Sequence, residues 1–475
     1  MDSRPKMMNI SVKSFISALL ILAILLVLTY VLTFFVPAGS YERQLVDGQE
    51  IIVPDTYTRS GGGISLGRFL LSPILVLFTD GSLTTIVIII FLLIIGGAFN
   101  ALDEAGVMRY LLGRIHNGFA GRRYLFLSVA SLFFMGLGSL CGSFEEIVPM
   151  VPLAVALAYS LGWDALVGMG YSILATGCGF ACGVCNPFTV GVAQELMGLP
   201  MFSDVLFRLL SFVLIYGLLQ LFLRRYAKRI EADPTRSPVY DPEKRAYWNS
   251  LQESFAVDKR MDRASLDFAA ILGFGILLIL CSAFVSVLSD YIMPIIALVF
   301  LIAGMVSVIM SGFGWGRYGK SFCTGAVNIL PAILLILLAS AVRFTLTEAG
   351  ILDTLLYAVV SRTEGLGVGT VALLIYLLVL VMNFFIASGS AKAFLLIPLL
   401  APLAELTGVP APVVILAFCF GDGFSNVFYP TNPVLLLSTG VAGVSYGKWA
   451  KWSLPFQLLT LLITGVLVLL RCVIG

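Results

Sequence analysis

Gly177-Cys178-Gly179-Phe180-Ala181-Cys182-Gly183-Val184-Cys185-Asn186-Pro187-Phe188-Thr189 interrupts one apolar run. Gly421-Asp422-Gly423-Phe424-Ser425-Asn426, with Tyr429-Pro430-Thr431-Asn432-Pro433 close behind, interrupts another. The two Asn-Pro pairs stand 246 positions apart. Other landmarks recur in the same order. Gly142-Ser143 and Gly389-Ser390 each follow a helical run, at an offset of 247. Glu104-Ala105-Gly106, with Val107 and Leu111-Leu112 after it, matches Glu348-Ala349-Gly350 with Ile351 and Leu355-Leu356, at an offset of 244. A single Asn-Pro or Gly-Ser is an ordinary turn dipeptide. Three landmarks in one order at nearly constant spacing are an internal repeat.

The repeat lies in a very apolar chain. Of 475 residues, 59% are hydrophobic and 12% charged, where soluble domains carry about 25% charged. A mean hydropathy of +1.01 excludes a soluble enzyme, a nucleic-acid binder and a disordered chain, and leaves a polytopic helical membrane protein. The net charge of +2 says nothing about partners, because charge here is sorted by loop. The single histidine, His116, sits in an amphipathic stretch and reads as interfacial. Most of the eight cysteines fall inside apolar segments, unlike a secreted disulfide framework. Cys178, Cys182 and Cys185 share a helical face and read as packing thiols rather than metal or redox groups. No G-x-x-x-x-G-K-[ST] loop is present, so ATP-driven transport by this chain is not expected.

Crossings are predicted at Phe15–Phe35, Ile86–Ala101, Ala165–Ala181, Val205–Leu223, Phe268–Val287, Pro294–Met310, Ile329–Leu346, Val413–Val427 and Leu454–Leu470. The first is long enough for a full span and too long for a signal-peptide core, although Pro37-Ala38-Gly39 could mimic a cleavage site. Two regions read as pairs of shorter helices with a Gly/Ser break between them: Tyr124–Ser139 with Ile147–Tyr159, and Val371–Ile386 with Phe394–Leu406.

Lysine and arginine set orientation. Arg4, Lys6 and Lys13 against Asp2 place the N-terminus in the cytoplasm. Arg43 and Arg59 against Glu42, Asp47, Glu50 and Asp55 place Val36–Gly67 outside. Arg109, Arg114, Arg122 and Arg123 place the next connection inside. The stretch Arg224–Arg263, with ten Lys/Arg, seven Asp/Glu and Pro234, Pro238 and Pro242, reads as a cytoplasmic linker. Lys448 and Lys451 mark a late inner loop, which leaves the C-terminus outside. The expected organisation is a first repeat over 1–223, with a hairpin at about 124–159 and a broken helix at about 165–189. A linker over 224–265 follows, then a second repeat over 266–475, with a hairpin at about 371–406 and a broken helix at about 413–433. The first Glu-Ala-Gly falls inside and the second outside, so the repeats are inverted, the plan of many secondary transporters.

Irregular backbone at membrane depth is tolerated only where it is buried in protein or lines a cavity. Paired Gly/Pro-interrupted segments therefore point to a transport site. A helix N-terminus aims free N–H groups at an anion, and a helix C-terminus aims C=O groups at a cation. Charges there are costly and informative. Glu145 and Glu146 follow the first hairpin tip, Lys392 follows the second, and Asp422 lies in the second break. The bland alternative is a structural ion pair of Glu145 or Glu146 with Lys392 or Arg343. Arg343 can also simply snorkel. Glu104 and Glu348 read as helix-end residues.

The functional expectation is a secondary transporter of a small carboxylate-bearing metabolite, foremost an amino acid, with exchange of basic amino acids as its narrower form. The candidate substrate residues are Ser143, Glu145, Glu146, Asn186, Thr189, Ser388, Ser390, Lys392 and Asn432. Lys392 and the hairpin N–H groups would hold a carboxylate, and Glu145 or Glu146 an amine. Asp422, Ser425, Asn426 and Thr431, with Asn432 shared, would hold a coupling Na+ or carry H+. No other cofactor, no metal and no nucleic acid is expected. A C4-dicarboxylate substrate is the second reading. An intramembrane enzyme using the Glu pair or the thiols is a distant third, since no nucleophile–base–orienter set can be assembled.

Phe34-Phe35-Val36-Pro37-Ala38-Gly39-Ser40-Tyr41-Glu42-Arg43 resembles the opening of the YfcC family, in the DcuC-like (C4-dicarboxylate anaerobic carrier) group of the ion transporter superfamily. Gly142-Ser143-Phe144-Glu145-Glu146, Asn186-Pro187-Phe188-Thr189-Val190-Gly191-Val192-Ala193-Gln194 and Gly421-Asp422-Gly423-Phe424-Ser425-Asn426 look like its most recognisable strings. The likeness runs from about Phe15 to the C-terminus. It implies two inverted repeats, each with a re-entrant hairpin and a broken helix, in an elevator-type carrier that is usually a homodimer in the plasma membrane. Ser143, Ser390, Asn186 and Asn432 would line its site. In the family a Gln or other neutral residue commonly follows the second tip, where this chain has Lys392. The family's substrates divide between basic amino acids and C4-dicarboxylates.

Overall fold

The computed structural model describes residues 12–46, 49–60, 63–79, 82–119, 121–200, 203–242, 258–282, 285, 291–363 and 365–474. Asp2, Arg4, Lys6, Asp47 and the middle of the linker lie outside the described residues, as do the side chains of Lys13, Glu50 and His116.

The chain is almost wholly helical. Helix α1 (Val12–Leu32) leads into two small antiparallel ribbons, β1 (Gly39–Ser40) with β4 (Thr58–Arg59) and β2 (Arg43–Val46) with β3 (Gln49–Ile52). Then come α2 (Leu66–Leu75), α3 (Ser82–Glu104), α4 (Val107–Phe119), α5 (Arg123–Cys141), α6 (Met150–Ser160), α7 (Ala165–Met169), α8 (Ala175–Cys182), α9 (Val192–Leu196) and α10 (Val205–Ala232). Past the linker follow α11 (Lys259–Ser282), α12 (Ile292–Met310), α13 (Trp315–Asn328), α14 (Leu330–Glu348) and α15 (Ile351–Val360). The last five are α16 (Val368–Phe385), α17 (Gly389–Thr407), α18 (Ala411–Asn426), α19 (Pro433–Val441) and α20 (Tyr446–Ile474).

Among the described residues, nine helical stretches are long and apolar enough to cross a bilayer. Their outward faces are apolar: Leu206, Leu406 and Leu462 are all more than 60% exposed. Such a surface suits lipid and not water. The chain is an all-α, multi-pass membrane protein.

Several helices outrun the apolar segments that predict them, because a helix needs no apolar residues once it leaves the hydrocarbon. Helix α10 continues through Arg224, Arg225 and Lys228 to Ala232, inside the stretch read as linker. It stops where Pro234 lacks a backbone donor and the Asp233 carboxylate accepts from the Thr235 N–H at 3.1 Å. Helix α13 has no counterpart among the predicted elements, since Arg317 and Lys320 lower its hydropathy. It lies against α3, where Gly325 lets the backbones touch: a Cβ there would strike the Gly96 carbonyl. Asn100 of α3 donates to the Ser321 carbonyl at 2.8 Å across the same contact.

Two ends of the bundle are marked by polar contacts. At one end Arg43 pairs with Asp353 at 3.1 Å, Arg68 with Glu348 at 2.6 Å, and the Tyr57 ring stacks on Tyr357. Burial, with Asp353 beside it, pushes the Tyr41 phenol up to about 12. At the other end Arg114 pairs with Asp262 at 3.3 Å and Arg123 with Glu231 at 3.0 Å. There the buried Asp164 carboxylate accepts from the Val167 N–H at 2.9 Å, Tyr226 at 2.5 Å and Ser237 at 2.6 Å. Burial holds its carboxyl above the usual aspartate range.

Candidate functional site

Two helix pairs end inside the bundle, each beside a helix that breaks at Asn-Pro. In the first pair, α5 ends at Gly142 (φ +67°), whose N–H returns to the Gly138 carbonyl. A side chain on Gly142 would strike Asn186 Oδ1, so this tip is fitted to the first break. Ser143, buried, precedes a short 3-10 turn at Glu145–Ile147. Glu146 is buried and accepts from its neighbour Phe144 N–H at 3.1 Å, so it caps its own turn. Glu145 is half-buried, and Asp422 from the other half acts on it electrostatically.

The first break follows α8, which ends at Gly183 (φ +47°). Its loop is tied to the first hairpin: the Val184 N–H donates to Ser139 Oγ and the Cys185 N–H to the Ser139 carbonyl, both at 3.1 Å. Asn186 Oδ1 accepts from the Phe188 N–H at 2.9 Å and caps a wide π-helical turn, Pro187–Gly191, that leads into α9. Pro187 suits that first position, where its missing donor would have no partner. Asn186 Nδ2 and Thr189 Oγ1 are buried and without an oxygen or nitrogen partner.

The second half repeats this build. The Thr431 hydroxyl donates to the Phe384 carbonyl at 2.6 Å, tying break to hairpin. Asn432 Oδ1 accepts from the Val434 N–H at 2.9 Å and caps α19 ahead of Pro433. Ser388, exposed, caps α17 by accepting from the Ala391 N–H at 3.4 Å, and Ser390 is half-buried next to it. The second tip reaches both breaks: a Cβ on Gly389 would lie 2.6 Å from Thr189 Cγ2 and 2.8 Å from Asp422 Oδ2.

Lys392, in the first turn of α17, is completely buried. Its ammonium donates to Asp422 Oδ1 and to Asn383 Oδ1. Asn383 Nδ2 faces the Asp422 carbonyl at 2.7 Å, Ser425 Oγ at 2.6 Å and Asn426 Oδ1 at 3.0 Å. Asn432 Nδ2 donates to the same Asn426 oxygen at 3.0 Å. One network therefore runs from the second tip through α16 and α18 to the second break. Asp422 Oδ2 remains buried and unpartnered, turned toward Gly389.

These contacts revise one alternative: Lys392 pairs with Asp422, not with Glu145 or Glu146, and among the described residues Arg343 forms an ion pair with neither glutamate. The ammonium read as a substrate ligand and the carboxylate read as a cation ligand lie against each other. Asn383, the hub, was not singled out from sequence. The available signal was one amide inside the apolar run Val371–Ile386.

A bundle of apolar helices, with two tips and two Asn-Pro breaks packed against one another, has the build of a membrane carrier. The sequence matches the C4-dicarboxylate anaerobic carrier (DcuC) family over residues 15–473, and the chain belongs to that family. It is a transporter, not an enzyme. It is 29% identical over 494 residues to an Escherichia coli (strain K12) protein that carries the provisional name basic amino acid antiporter YfcC, with 95% of each chain covered. It is 25% identical over 396 residues to an uncharacterised Haemophilus influenzae (strain ATCC 51907 / DSM 11121 / KW20 / Rd) protein, covering 82% of this chain and 76% of that one. Two solved transporters align along its length. Alcanivorax borkumensis YdaH has 18% identity and a TM-score of 0.42, covering 97% of this chain and 98% of that one. Neisseria gonorrhoeae MtrF has 15% identity and a TM-score of 0.45, covering 98% and 95%. Likenesses this low carry no argument about this chain.

Proposed function

We propose that the chain exchanges amino acids across the plasma membrane, with cationic ones favoured, and needs no sodium. The observation that carries this reading is the charge around the two tips. Glu145, Glu146 and Asp422 gather there against the single ammonium of Lys392. A cationic substrate brings these carboxyls the counter-charge that burial otherwise denies them, whereas a dianion would only add to their number. Glu145 is the carboxylate among them bound to neither a lysine nor another residue's N–H, so it meets the substrate's side-chain cation or amine. The helix start at Ser390 keeps N–H groups ahead of the Ala391 N–H that Ser388 caps, and Asn186 Nδ2 is buried without an oxygen or nitrogen partner; both can serve a carboxylate. The provisional name of the E. coli relative agrees with this substrate class.

Independence from sodium follows from Lys392. A coupling cation would use Asp422, Ser425, Asn426 and Thr431. The Lys392 ammonium already lies against Asp422 and Asn383, as a tethered cation in a nest of oxygens. A bound Na+ would have to displace it. Exchange of one substrate for another needs no such ion.

The remaining parts of the reading are the inverted repeat, the re-entrant hairpins, elevator motion, a homodimer and an inside N-terminus with an outside C-terminus. The positive-inside count supports the orientation. The paired hairpins and Asn-Pro caps support the repeat.

Proteoliposome counterflow tests the whole reading. Internal ornithine should drive accumulation of external arginine equally in sodium and potassium media. Succinate uptake without an amino-acid signal would favour the C4-dicarboxylate reading, which the family's description supports. Arginine uptake that requires a sodium gradient would remove the tethered-cation argument.

A further inference from the structure

The least expected charge in the bundle lies outside the network of Lys392. Arg208 sits in the first turns of α10 and is 2% exposed. Leu206, Leu209, Leu210 and Val213 of the same helix face outward, so Arg208 faces the other way, with Ser211 and Ile215. That orientation rules out snorkelling along the surface. The charged and polarisable groups acting on it are Asp204, Cys185 at the first break, and Cys419, a turn before Asp422 in α18. Arg471 of α20 donates to Asp204 Oδ2 through Nε at 3.0 Å, and Asp204 makes no ion pair with Arg208. Arg208 Nε and Nη2 are buried with no partner, and so is Arg471 Nη1. Two buried guanidiniums thus lie near one carboxylate, with three N–H-bearing nitrogens unused. Nature retains a buried guanidinium where something neutralises it, and the unused groups are all donors, so their partner is an acceptor.

We propose that Arg208, backed by Arg471, forms a binding site for a small anion behind the first break, which takes a halide or a carboxylate. The planar guanidinium offers two adjacent donors to either. The site does not depend on the substrate assigned above. A halide would come from the medium, whereas a carboxylate would come from the transported molecule.

The test is thermal unfolding of the purified full-length transporter in detergent. Chloride, acetate and arginine are titrated separately, with ionic strength held by a bulky sulfonate buffer. At least one should raise the melting temperature saturably in the wild type and not in Arg208→Met. Without any anion, Arg208→Met should melt no lower than the wild type, because the exchange removes an unpartnered charge. Arg208→Lys, which keeps the charge and loses the fork, should bind more weakly. Saturation by chloride identifies a halide site; saturation by arginine or acetate with chloride inert identifies a carboxylate site. A wild-type response that is absent, unsaturable, or unchanged in Arg208→Lys and Arg208→Met overturns the proposal. So does an Arg208→Met that melts far below the anion-free wild type.

Discussion

The Lys392 ammonium lies against the Asp422 carboxylate with both side chains wholly buried, and the two come from consecutive helices, α17 and α18, at positions 30 residues apart. Taking both charges from water is costly, and their attraction offsets this only with good geometry and further hydrogen bonds. Asn383 supplies one of these to Lys392, while Asp422 Oδ2 lacks any. The pair is thus a device of position more than of stability. It fixes the second tip to the second break and leaves one carboxylate oxygen open toward Gly389.

Breaking the pair from one side should harm more than removing it. Asp422→Asn leaves a buried ammonium with an amide partner, and should cost about 3–5 kcal/mol. Lys392→Gln leaves a buried carboxylate and should cost a similar amount. The double variant Lys392→Met/Asp422→Leu should recover most of that loss yet fail to transport. Thermal unfolding of the four proteins beside their counterflow rates checks this. Equal stability of single and double variants would contradict it.

The two glutamates of the first tip should separate in function. Glu146 accepts from the Phe144 N–H, so Glu146→Ala should cost about 1 kcal/mol, as cap removals do, with Glu146→Gln milder. Glu145 has no such role. Glu145→Gln should leave the melting temperature nearly unchanged while lowering arginine uptake by about tenfold or more, the worth of one buried charge interaction of about 1.4 kcal/mol. Uptake of a neutral amino acid should fall less. A parallel fall for both substrates would remove Glu145 from recognition of the cation.

The elements and the breaks were legible because their signals are local. A run of about 20 apolar residues is a span wherever it occurs, and Asn-Pro caps a helix by its own side chain, as Asn186 and Asn432 do. Partnerships across the fold were not legible. Asp422 and Lys392 were each visible as a charge in an apolar setting, but nothing local says that they meet. Asn383 was hidden because one amide barely alters the hydropathy of its helix. Helix α13 was hidden for the opposite reason, since two cations and three glycines weaken a segment that tertiary packing then fixes against α3.

Asn383 should prove as sensitive as the charges it holds. Its amide serves Lys392, Asp422, Ser425 and Asn426 at once. Asn383→Leu leaves several buried polar groups unsatisfied, at about 1–3 kcal/mol for each. The expected outcome is a protein of clearly reduced melting temperature and no measurable exchange. Asn383→Leu with wild-type uptake would show that the network is not needed.

Asp164 gives a pH dependence of defined sign. Its carboxyl is raised above the ordinary 3.8 by burial, so the folded state holds this proton more tightly than the unfolded chain. The stability this contributes is complete below the unfolded value and is lost as pH rises through the folded one. Asp164→Asn keeps a capping oxygen for Val167 and has no proton to lose. The stability of the wild type relative to Asp164→Asn should therefore fall as pH rises from about 4, the unfolded aspartate value, then level off above the folded value. A difference that grows in favour of the wild type over that rise would reverse the assignment.

The crossing of the two broken helices should be intolerant of a single methyl group. A Cβ on Gly423 of α18 would run into the Ala181 backbone of α8, and α8 is as tightly seated on α5, where a Cβ on Gly179 would strike the Met135 carbonyl. Neither neighbour is the free end of a flexible side chain, so the helices themselves must part. Overpacking of this kind costs about 1–3 kcal/mol. It would also shift Asp422, the residue before Gly423, relative to Thr189 and the second tip. Gly136, on α5, has open space around its would-be Cβ. Gly136→Ala should fold and transport like the wild type and gain helix propensity. Gly423→Ala should lower both the melting temperature and the exchange rate. The comparison separates the general cost of altering a glycine from the cost of parting these two helices. If both variants behaved alike, close approach at Gly423 would not be what holds the two breaks together.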